Sequence, residues 1–302
     1  MRHEYDRRTI LKTLALGASA AGLGKSASGR ASARRLKIGH TSITWGFSPE
    51  AAEPGIRDSA KLGYHGYESL GGVLEALEAQ GGIGRILEAH NIPLTSAYFP
   101  VNLTDPTQRK DEVQKVIRWG GILTKYGGQV AVLGPNGVDR STFDFPGNKA
   151  NIVASLNEIG KALTDLGLGA ALHQHTETCV ETRDEVYAVM ESVDTRHVTF
   201  GPDVGQLAKG GSDPVKILKD FKSLLRNIHL KDFNGGPHWV GYCPLGQGKV
   251  DMRALMDVLE EAKQLTYAMV ELDPSPNPPM TPFQTAEASK EYLQKLGYTF
   301  RS

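Results

Sequence analysis

Hydrophobic positions from residue 36 onward alternate between short continuous runs and longer stretches with a helical period. The short runs are rich in apolar and β-branched residues, and they predict eight strands at Leu36–Ile43, Gly66–Leu70, Leu94–Phe99, Gln129–Leu133, Ala170–His173, Val198–Asp203, Ile228–Lys231 and Ala268–Leu272. Apolar residues at three- and four-residue spacing predict helices, most clearly at Val73–Ala89, Val113–Thr124, Ile152–Leu166, Asp184–Val193, Val215–Leu225, Met252–Ala262 and Thr285–Leu296. This alternation is typical of an α/β protein built from parallel βαβ units.

Eight strand–helix units within roughly 250 residues favour a single closed (β/α)8 barrel, a TIM barrel, which we expect over residues 34–302. The alternative is an open, doubly wound sheet with a dinucleotide site. Its Gly-rich fingerprint is missing after the first strand, where the chain reads His40-Thr41-Ser42-Ile43-Thr44-Trp45-Gly46. The sequence therefore predicts the barrel and no nucleotide cofactor.

The first 33 residues differ from the rest of the chain. Arg7-Arg8-Thr9-Ile10-Leu11-Lys12 precedes a short, mildly apolar stretch, and small residues follow up to Ala31-Ser32-Ala33. A charged start, a short apolar middle and an A-x-A-like end predict a signal peptide at residues 1–33, and the paired arginines resemble the twin-arginine (Tat) signal. We expect the Tat export machinery as a partner of the precursor, and a periplasmic or otherwise exported protein without a stable membrane anchor. A basic N-terminal helix is the alternative.

Composition and charge narrow the classes of partner. Hydrophobic residues make up 40% of the chain, which is ample for a core. The full chain has no net charge, and residues 34–302 retain 28 basic and 32 acidic side chains, a net charge of −4. This balance gives no reason to expect a nucleic acid partner. The two cysteines, Cys179 and Cys243, predict neither a disulfide framework nor a structural zinc site.

Four consecutive predicted strands end in residues that bind metals. They present His173, Asp203, His229 and Glu271 at corresponding depths. A barrel carries its chemistry where strands run into the following loops. Neutral imidazoles mixed with carboxylates suit Mn²⁺, Co²⁺, Fe²⁺ or Zn²⁺ and leave positions open for a substrate. We therefore expect these four side chains to hold one divalent metal. A single His or Asp at a strand end can also be a helix cap or a hydrogen-bonded loop residue. Asp203, for example, is placed to cap the next helical turn.

The sequence resembles the sugar isomerase/epimerase superfamily of xylose isomerase-like TIM barrels, which includes inosose dehydratase. The motifs that carry the resemblance are Leu62-Gly63-Tyr64-His65-Gly66-Tyr67-Glu68, Leu172-His173-Gln174-His175-Thr176, His229-Leu230-Lys231-Asp232, Leu245-Gly246-Gln247-Gly248-Lys249-Val250-Asp251 and Val270-Glu271. The resemblance implies metal ligands on strands five to eight, at the same four positions. A carboxylate is expected where His173 stands, and this departure points to the inosose-dehydratase-like branch. Gln206 is a second departure, since relatives often have a histidine there.

The resemblance also implies a reaction. An enzyme of this type abstracts the proton next to the carbonyl of a keto-sugar or keto-polyol and forms an enediolate. Glu271 is the expected base and His175 a second acid/base group, while Lys231 either neutralises an oxyanion or pairs with Asp232. We expect His40, Trp45, Glu68, Gln206 and His238 to contact the substrate, which is unphosphorylated because no phosphate-binding loop is evident.

Three alternatives to isomerisation or epimerisation remain open. Loss of a β-hydroxyl from the same intermediate makes the protein a dehydratase of a keto-polyol such as an inosose. A sugar-binding barrel without turnover is the alternative from another class. A metal-dependent nuclease requires more strand-end ligands and a basic groove, which a chain with a net charge of −4 does not supply.

Overall fold

The computed structural model describes residues 34–302, and the predicted signal peptide at residues 1–33 lies outside the described residues. Ten strands are present: β1 (Lys37–Thr41), β2 (Tyr67–Leu70), β3 (Leu94–Val101), β4 (Val130–Pro135), β5 (Gly169–Leu172), β6 (Val198–Phe200), β7 (His229–Leu230), β8 (Asp232–Phe233), β9 (Tyr242–Cys243) and β10 (Tyr267–Val270). The helices are α1 (Ala52–Lys61), α2 (Gly71–Glu78), α3 (Gly84–Ala89), α4 (Arg109–Lys125), α5 (Phe145–Asp165), α6 (Arg183–Met190), α7 (Val204–Lys209), α8 (Pro214–Asp220), α9 (Met252–Glu261) and α10 (Pro282–Lys295). No described helix is long and apolar enough to cross a membrane.

Eight of these strands form one parallel sheet in the order β6-β5-β4-β3-β2-β1-β10-β7. Its two edges meet, because Phe200 bridges Leu225 and Asp203 bridges His229. The backbone N–H of His229 also donates to the Pro202 carbonyl at 2.9 Å. The sheet therefore closes into a single (β/α)8 barrel, which confirms the prediction from the alternation of strands and helices.

Side chains alternate across each strand, and this alternation supplies both the core and the site. On the seventh barrel strand, Ile228 and Leu230 join the main hydrophobic cluster between the sheet and the helices. Their neighbours Asn227, His229 and Lys231 are also buried, but they contact polar groups of other strands inside the barrel. The period of two residues thus separates the apolar face from the functional face.

The helical prediction differs from the structure in four places. The single helix expected at Val73–Ala89 is two helices, because Gly81 and Gly82 between α2 and α3 have φ of 103° and 85°. A side chain at Gly82 is also excluded sterically, since a Cβ there would overlap the Tyr126 hydroxyl. Helices α1 and α7 were not expected, and the helix expected at Val215–Leu225 ends as an α-helix at Asp220.

Asp232 organises the loop that follows the β8–β9 hairpin. Its carboxylate accepts hydrogen bonds from the backbone N–H groups of Phe233, Gly246, Gly248 and Val250, at 2.9–3.1 Å. Gly248 has to be a glycine, because a Cβ there would lie 2.1 Å from Asp232 Oδ1. Asp232 is therefore committed to the loop, which excludes the expected alternative that it pairs with Lys231.

Candidate active site

The side chains of His173, Asp203, His229 and Glu271 form one buried cluster at the ends of β5, β6, β7 and β10. One ligand atom each of His173, Asp203 and His229 lies within 4.8 Å of the other two. His229 Nδ1 is 2.9 Å from Glu271 Oε2, and the rings of His173 and His229 are 4.5 Å apart. The four residues meet because parallel strands end at the same rim of the barrel.

Hydrogen bonds fix which nitrogen of each histidine faces the cluster. His173 Nδ1 lies 2.9 Å from the Gly201 carbonyl, to which it donates, so Nε2 carries the free lone pair. His229 Nε2 lies 2.7 Å from Glu68 Oε1, and its Nδ1 has no hydrogen-bond partner among the described residues. A histidine held through one nitrogen by a carboxylate or carbonyl is the usual arrangement around a metal ligand.

Glu68 is itself held in place by residues that sequence reasoning missed. Ser96 Oγ donates to Glu68 Oε2 at 2.6 Å, and Asn227 Nδ2 donates to the same oxygen at 3.1 Å. Asn227 precedes His229 by two residues, so the strand period places both side chains on one face. That spacing is the signal by which Asn227 could have been found. Glu68 lines the cavity and, in addition, fixes the orientation of His229.

Lys231 lies among three carboxylates and is completely buried. Its Nζ donates to Asp273 Oδ2 at 2.7 Å and lies 2.6 Å from Glu271 Oε1 and 2.9 Å from Asp203 Oδ2. Burial opposes its charge, but Asp203, Asp273 and Glu271 hold the pKa of Lys231 well above its usual value. Lys231 is thus a charged residue that neutralises part of the cluster. Asp273 lies two residues after Glu271, directly before Pro274.

Burial and neighbouring charges also shift the pKa values of His173, Glu271 and Asp203. Burial lowers the pKa of His173 well below its usual value, and His229 adds to the effect. Burial disfavours the ionised form of Glu271, but the charges of His229 and Lys231 outweigh it and hold the pKa of Glu271 well below its usual range. Burial raises the pKa of Asp203 despite Lys231 nearby.

Replacement of Lys231 with methionine is expected to lower the free energy of unfolding by about 3–5 kcal/mol, because it leaves buried carboxylates without their shared cation. Urea denaturation measures this change. The matched control is Lys216→Met, since Lys216 pairs with Asp220 at 2.8 Å on the surface, where ion pairs contribute little. Equal stability of the two variants would contradict the role of Lys231.

A cavity of about 590 Å³ opens beside the cluster. His173, His175, Glu68, Glu271 and Asp273 line it, together with Thr41 and Ser69. The buried hydroxyls of Thr41 and Ser69 have no hydrogen-bond partner within residues 34–302. Buried polar groups are nearly always paired, so these two oxygens are placed to bind polar groups of a ligand.

The structure does not bring His40, Trp45, Gln206 or His238 to this cavity. The His40 ring packs 4.8 Å from Trp45, and burial lowers its pKa to about 4, so it is a neutral core residue. Trp45 Nε1 donates to Asp58 at 3.0 Å. His238 lies in the loop before β9 and packs on Trp239 instead.

Gln206 acts on the site through His175. Its Oε1 accepts hydrogen bonds from the Thr176 hydroxyl at 2.7 Å and the Thr176 N–H at 3.2 Å. Its Nε2 lies 2.6 Å from His175 Nε2, while His175 Nδ1 lies 2.7 Å from the Thr176 carbonyl. His175 therefore donates through Nδ1 and accepts through Nε2, and Gln206 is a positioning residue.

The donor set fits a divalent metal. Asp203 Oδ1 caps α7 by accepting from the Gln206 N–H at 2.9 Å, so the simpler alternative for Asp203 is also correct. Its other oxygen, Oδ2, lies near the Lys231 ammonium without an aligned hydrogen bond. Two buried ligand atoms, Asp203 Oδ2 and His229 Nδ1, are therefore left without a hydrogen-bond partner in the described part of the chain, next to His173 and Glu271.

Comparison with known proteins agrees with this architecture. The profile of the xylose isomerase-like TIM barrel family matches residues 56–296, well over half of the chain. The chain belongs to this family. Inosose dehydratase of Clostridium botulinum is 26% identical over 238 residues, which cover 70% of this chain and 79% of that protein. Inosose dehydratase of Lacticaseibacillus casei is 24% identical over 233 residues, which cover 68% of this chain and 78% of that protein.

Solved structures share the fold of this family member at low sequence identity. D-psicose 3-epimerase of Clostridium cellulolyticum aligns with a TM-score of 0.73 and 17% identity, covering 87% of this chain and 100% of that chain. The 3-keto-D-glucoside 4-epimerase of E. coli aligns with a TM-score of 0.67 and 19% identity, covering 86% of this chain and 98% of that chain. Together with the curated relatives, they confirm an enzyme of sugar isomerase, epimerase or dehydratase type.

Proposed function

We propose that this enzyme abstracts the proton next to the carbonyl of an unphosphorylated keto-sugar or keto-polyol at a divalent metal held by His173, Asp203, His229 and Glu271. The observation that carries the proposal is a pair of buried ligand atoms that have no aligned hydrogen bond within residues 34–302, Asp203 Oδ2 and His229 Nδ1, beside a cavity of substrate size. The local charge favours a cation, because three carboxylates, those of Asp203, Glu271 and Asp273, surround the single ammonium of Lys231.

Two residues at the cavity, Glu271 and His175, are the groups that transfer protons. A bound divalent ion supplies Lewis-acid stabilisation for the charge that develops on the carbonyl oxygen. Glu271 is ionised and lines the cavity, so it is placed to remove the proton from the adjacent carbon. His175, oriented by Gln206 and Thr176, is the second acid/base group at the cavity.

The charge at the cavity supports an unphosphorylated substrate. Among residues 34–302, no arginine or lysine lines it, whereas Glu68, Glu271 and Asp273 do. Lys231 is occupied by three carboxylates and has no exposed surface. A phosphate dianion here would face these carboxylates without an arginine or lysine side chain to bind it.

Dehydration is the second candidate, and a specific observation favours it. The fifth strand contributes His173 where the epimerases of this superfamily are expected to have a carboxylate. Inversion at carbon requires a base and an acid on opposite faces of the same carbon, whereas elimination requires one base and one acid that protonates the leaving hydroxyl. Glu271 and His175 suffice for elimination. The curated relatives are inosose dehydratases, in agreement with this candidate.

Exchange of the substrate's α-proton for deuterium tests the proposed function, because this step precedes the choice between inversion and elimination. Enzyme stripped with a chelator is expected to lose exchange on a panel of keto-sugars and inososes in deuterated water. Added Mn²⁺, Co²⁺, Fe²⁺ or Zn²⁺ should restore it. NMR of the product then identifies the branch, because a dehydrated diketone indicates a lyase and an inverted or rearranged ketose an isomerase. Exchange that survives metal removal would exclude the metal-dependent step.

Export through the Tat route is a separate proposal, which rests on the sequence of residues 1–33. Replacing Arg7 and Arg8 together with lysine is expected to leave the precursor in the cytoplasm, because the paired arginines are the recognised feature of this signal. Cell fractionation and immunoblotting measure the distribution. Normal export of the double variant would point to another route.

A further inference from the structure

Two chemically different groups of residues line the cavity. The first, called here the polar end, comprises the charged and hydroxyl groups described above, including Glu271, His175 and the hydroxyls of Thr41 and Ser69, which have no hydrogen-bond partner within residues 34–302. The second is apolar and is called here the apolar arm, formed by Phe47, Pro49, Leu70, Val73, Ala76 and Trp119. These residues come from the loop after β1, the end of β2, and helices α2 and α4.

The fold builds the apolar arm from helices packed close to the barrel rim. Helix α2 starts directly after β2, so Val73 and Ala76 lie next to the strand end. Trp119 packs against Gly71, where a Cβ would lie 2.4 Å from the indole ring. Trp119 Nε1 donates to Glu75 Oε2 at 2.7 Å. Because its N–H is already paired, Trp119 has only ring carbon to offer to the arm.

Phe47 extends the apolar arm to the surface. It is 61% exposed, and Phe47 and Val240 are the large hydrophobic side chains left exposed in the described part of the chain. Phe47 is continuous with the arm, whereas Val240 lies outside the cavity lining. An apolar surface that lines a concave pocket is typical of a ligand-binding site.

An unsubstituted sugar or cyclitol would leave the apolar arm of this cavity without a matching group. Such a molecule has hydroxyls around its ring, and those directed into the apolar arm would lose water without gaining partners. The volume of about 590 Å³ lies within the range of roughly 300–1,000 Å³ typical of pockets for drug-sized ligands. The polar end alone holds the groups needed for the proton transfer.

We propose that the natural substrate is a keto-sugar that carries an apolar substituent, such as an alkyl or aryl glycoside, and that the apolar arm binds this substituent. The identity of the sugar as a ketone rests on the proposed function. The polar end binds the sugar ring through hydroxyl and carboxylate groups, and the arm selects substrates by the size of the substituent.

Binding measured without turnover tests the arm. Isothermal titration calorimetry with methyl and phenyl β-D-glucosides and their 3-oxo derivatives gives four dissociation constants. Phenyl compounds are expected to bind about tenfold or more tightly than their methyl counterparts, from the apolar area that they bury. Equal affinities within each pair, or no binding by any of the four compounds, would overturn the proposal.

Two variants locate the effect. Ala76→Phe fills the arm and should abolish the preference for phenyl over methyl compounds. Phe47→Ser should reduce the preference several-fold, since it removes one wall. Val240→Ser is the matched control, because Val240 is 63% exposed and lies outside the cavity lining. A preference that persists in both arm variants would also overturn the proposal.

The two proposals fail in different ways. Deuterium exchange of the 3-oxo compounds reports the chemistry, whereas the ratio of affinities reports the arm. A size-dependent affinity without exchange supports the arm and contradicts the proposed function. Exchange with equal affinities supports the proposed function and overturns the arm.

Discussion

Asp203→Asn and His229→Ala are each expected to reduce bound metal from about one ion per chain to near zero, with loss of turnover. Asparagine at position 203 keeps the helix cap, because it accepts the Gln206 N–H as well as aspartate does, but it removes the negative charge. Asp203→Asn should fold, since Lys231 retains Glu271 and Asp273 as counter-charges. Elemental analysis of the purified variants measures the metal, and circular dichroism checks the fold.

Asp213→Asn is the matched control for position 203. Asp213 caps the next helix, α8, by accepting the Lys216 N–H at 3.1 Å, and it lies outside the cluster and the cavity. The same substitution there should change neither metal content nor turnover. Stoichiometric metal in both cluster variants would show that the ion is held elsewhere.

Most of the barrel could be predicted from the sequence, because buried parallel strands are short apolar runs. The errors lie where local signals are weak or misleading. Helix α1 contains Pro54 and Gly55, which disfavour a helix by propensity, yet Gly55 is required because a Cβ there would lie 2.6 Å from the Tyr67 hydroxyl. Gly81 and Gly82 lie inside an otherwise helical pattern, and only their positive φ shows that they separate two helices.

The candidate site was predictable where it depends on strand ends, and less so where it depends on partners distant in sequence. The convergence of His173, Asp203, His229 and Glu271 follows from parallel strands that end at one rim. The pairing of Glu68 with His229 joins residues 161 positions apart, and no spacing in the sequence indicates it. For the same reason, Lys231 could not be assigned to Asp203 and Asp273 rather than to its neighbour Asp232.

Glu271→Gln is expected to slow exchange of the substrate's α-proton by roughly 10²–10⁴-fold at saturating metal, the range expected for losing a positioned general base. Glutamine keeps the size and one coordinating oxygen, but it lacks the charge and the basicity. Metal affinity should fall as well, so exchange is measured with excess metal to restore occupancy. Lys231 keeps Asp203 and Asp273 as partners, which limits the effect on stability.

Glu261→Gln is the matched control, since Glu261 lies on α9, pairs with Lys222 on the surface and is absent from the cavity. Its exchange rate should equal that of the wild type. Wild-type exchange by metal-saturated Glu271→Gln would place the base elsewhere, with His175 the next candidate because it lines the same cavity. A His175→Gln variant separates the two cases. If Glu271 is the base, His175→Gln should still exchange the proton but release product slowly, because the second proton transfer has lost its acid.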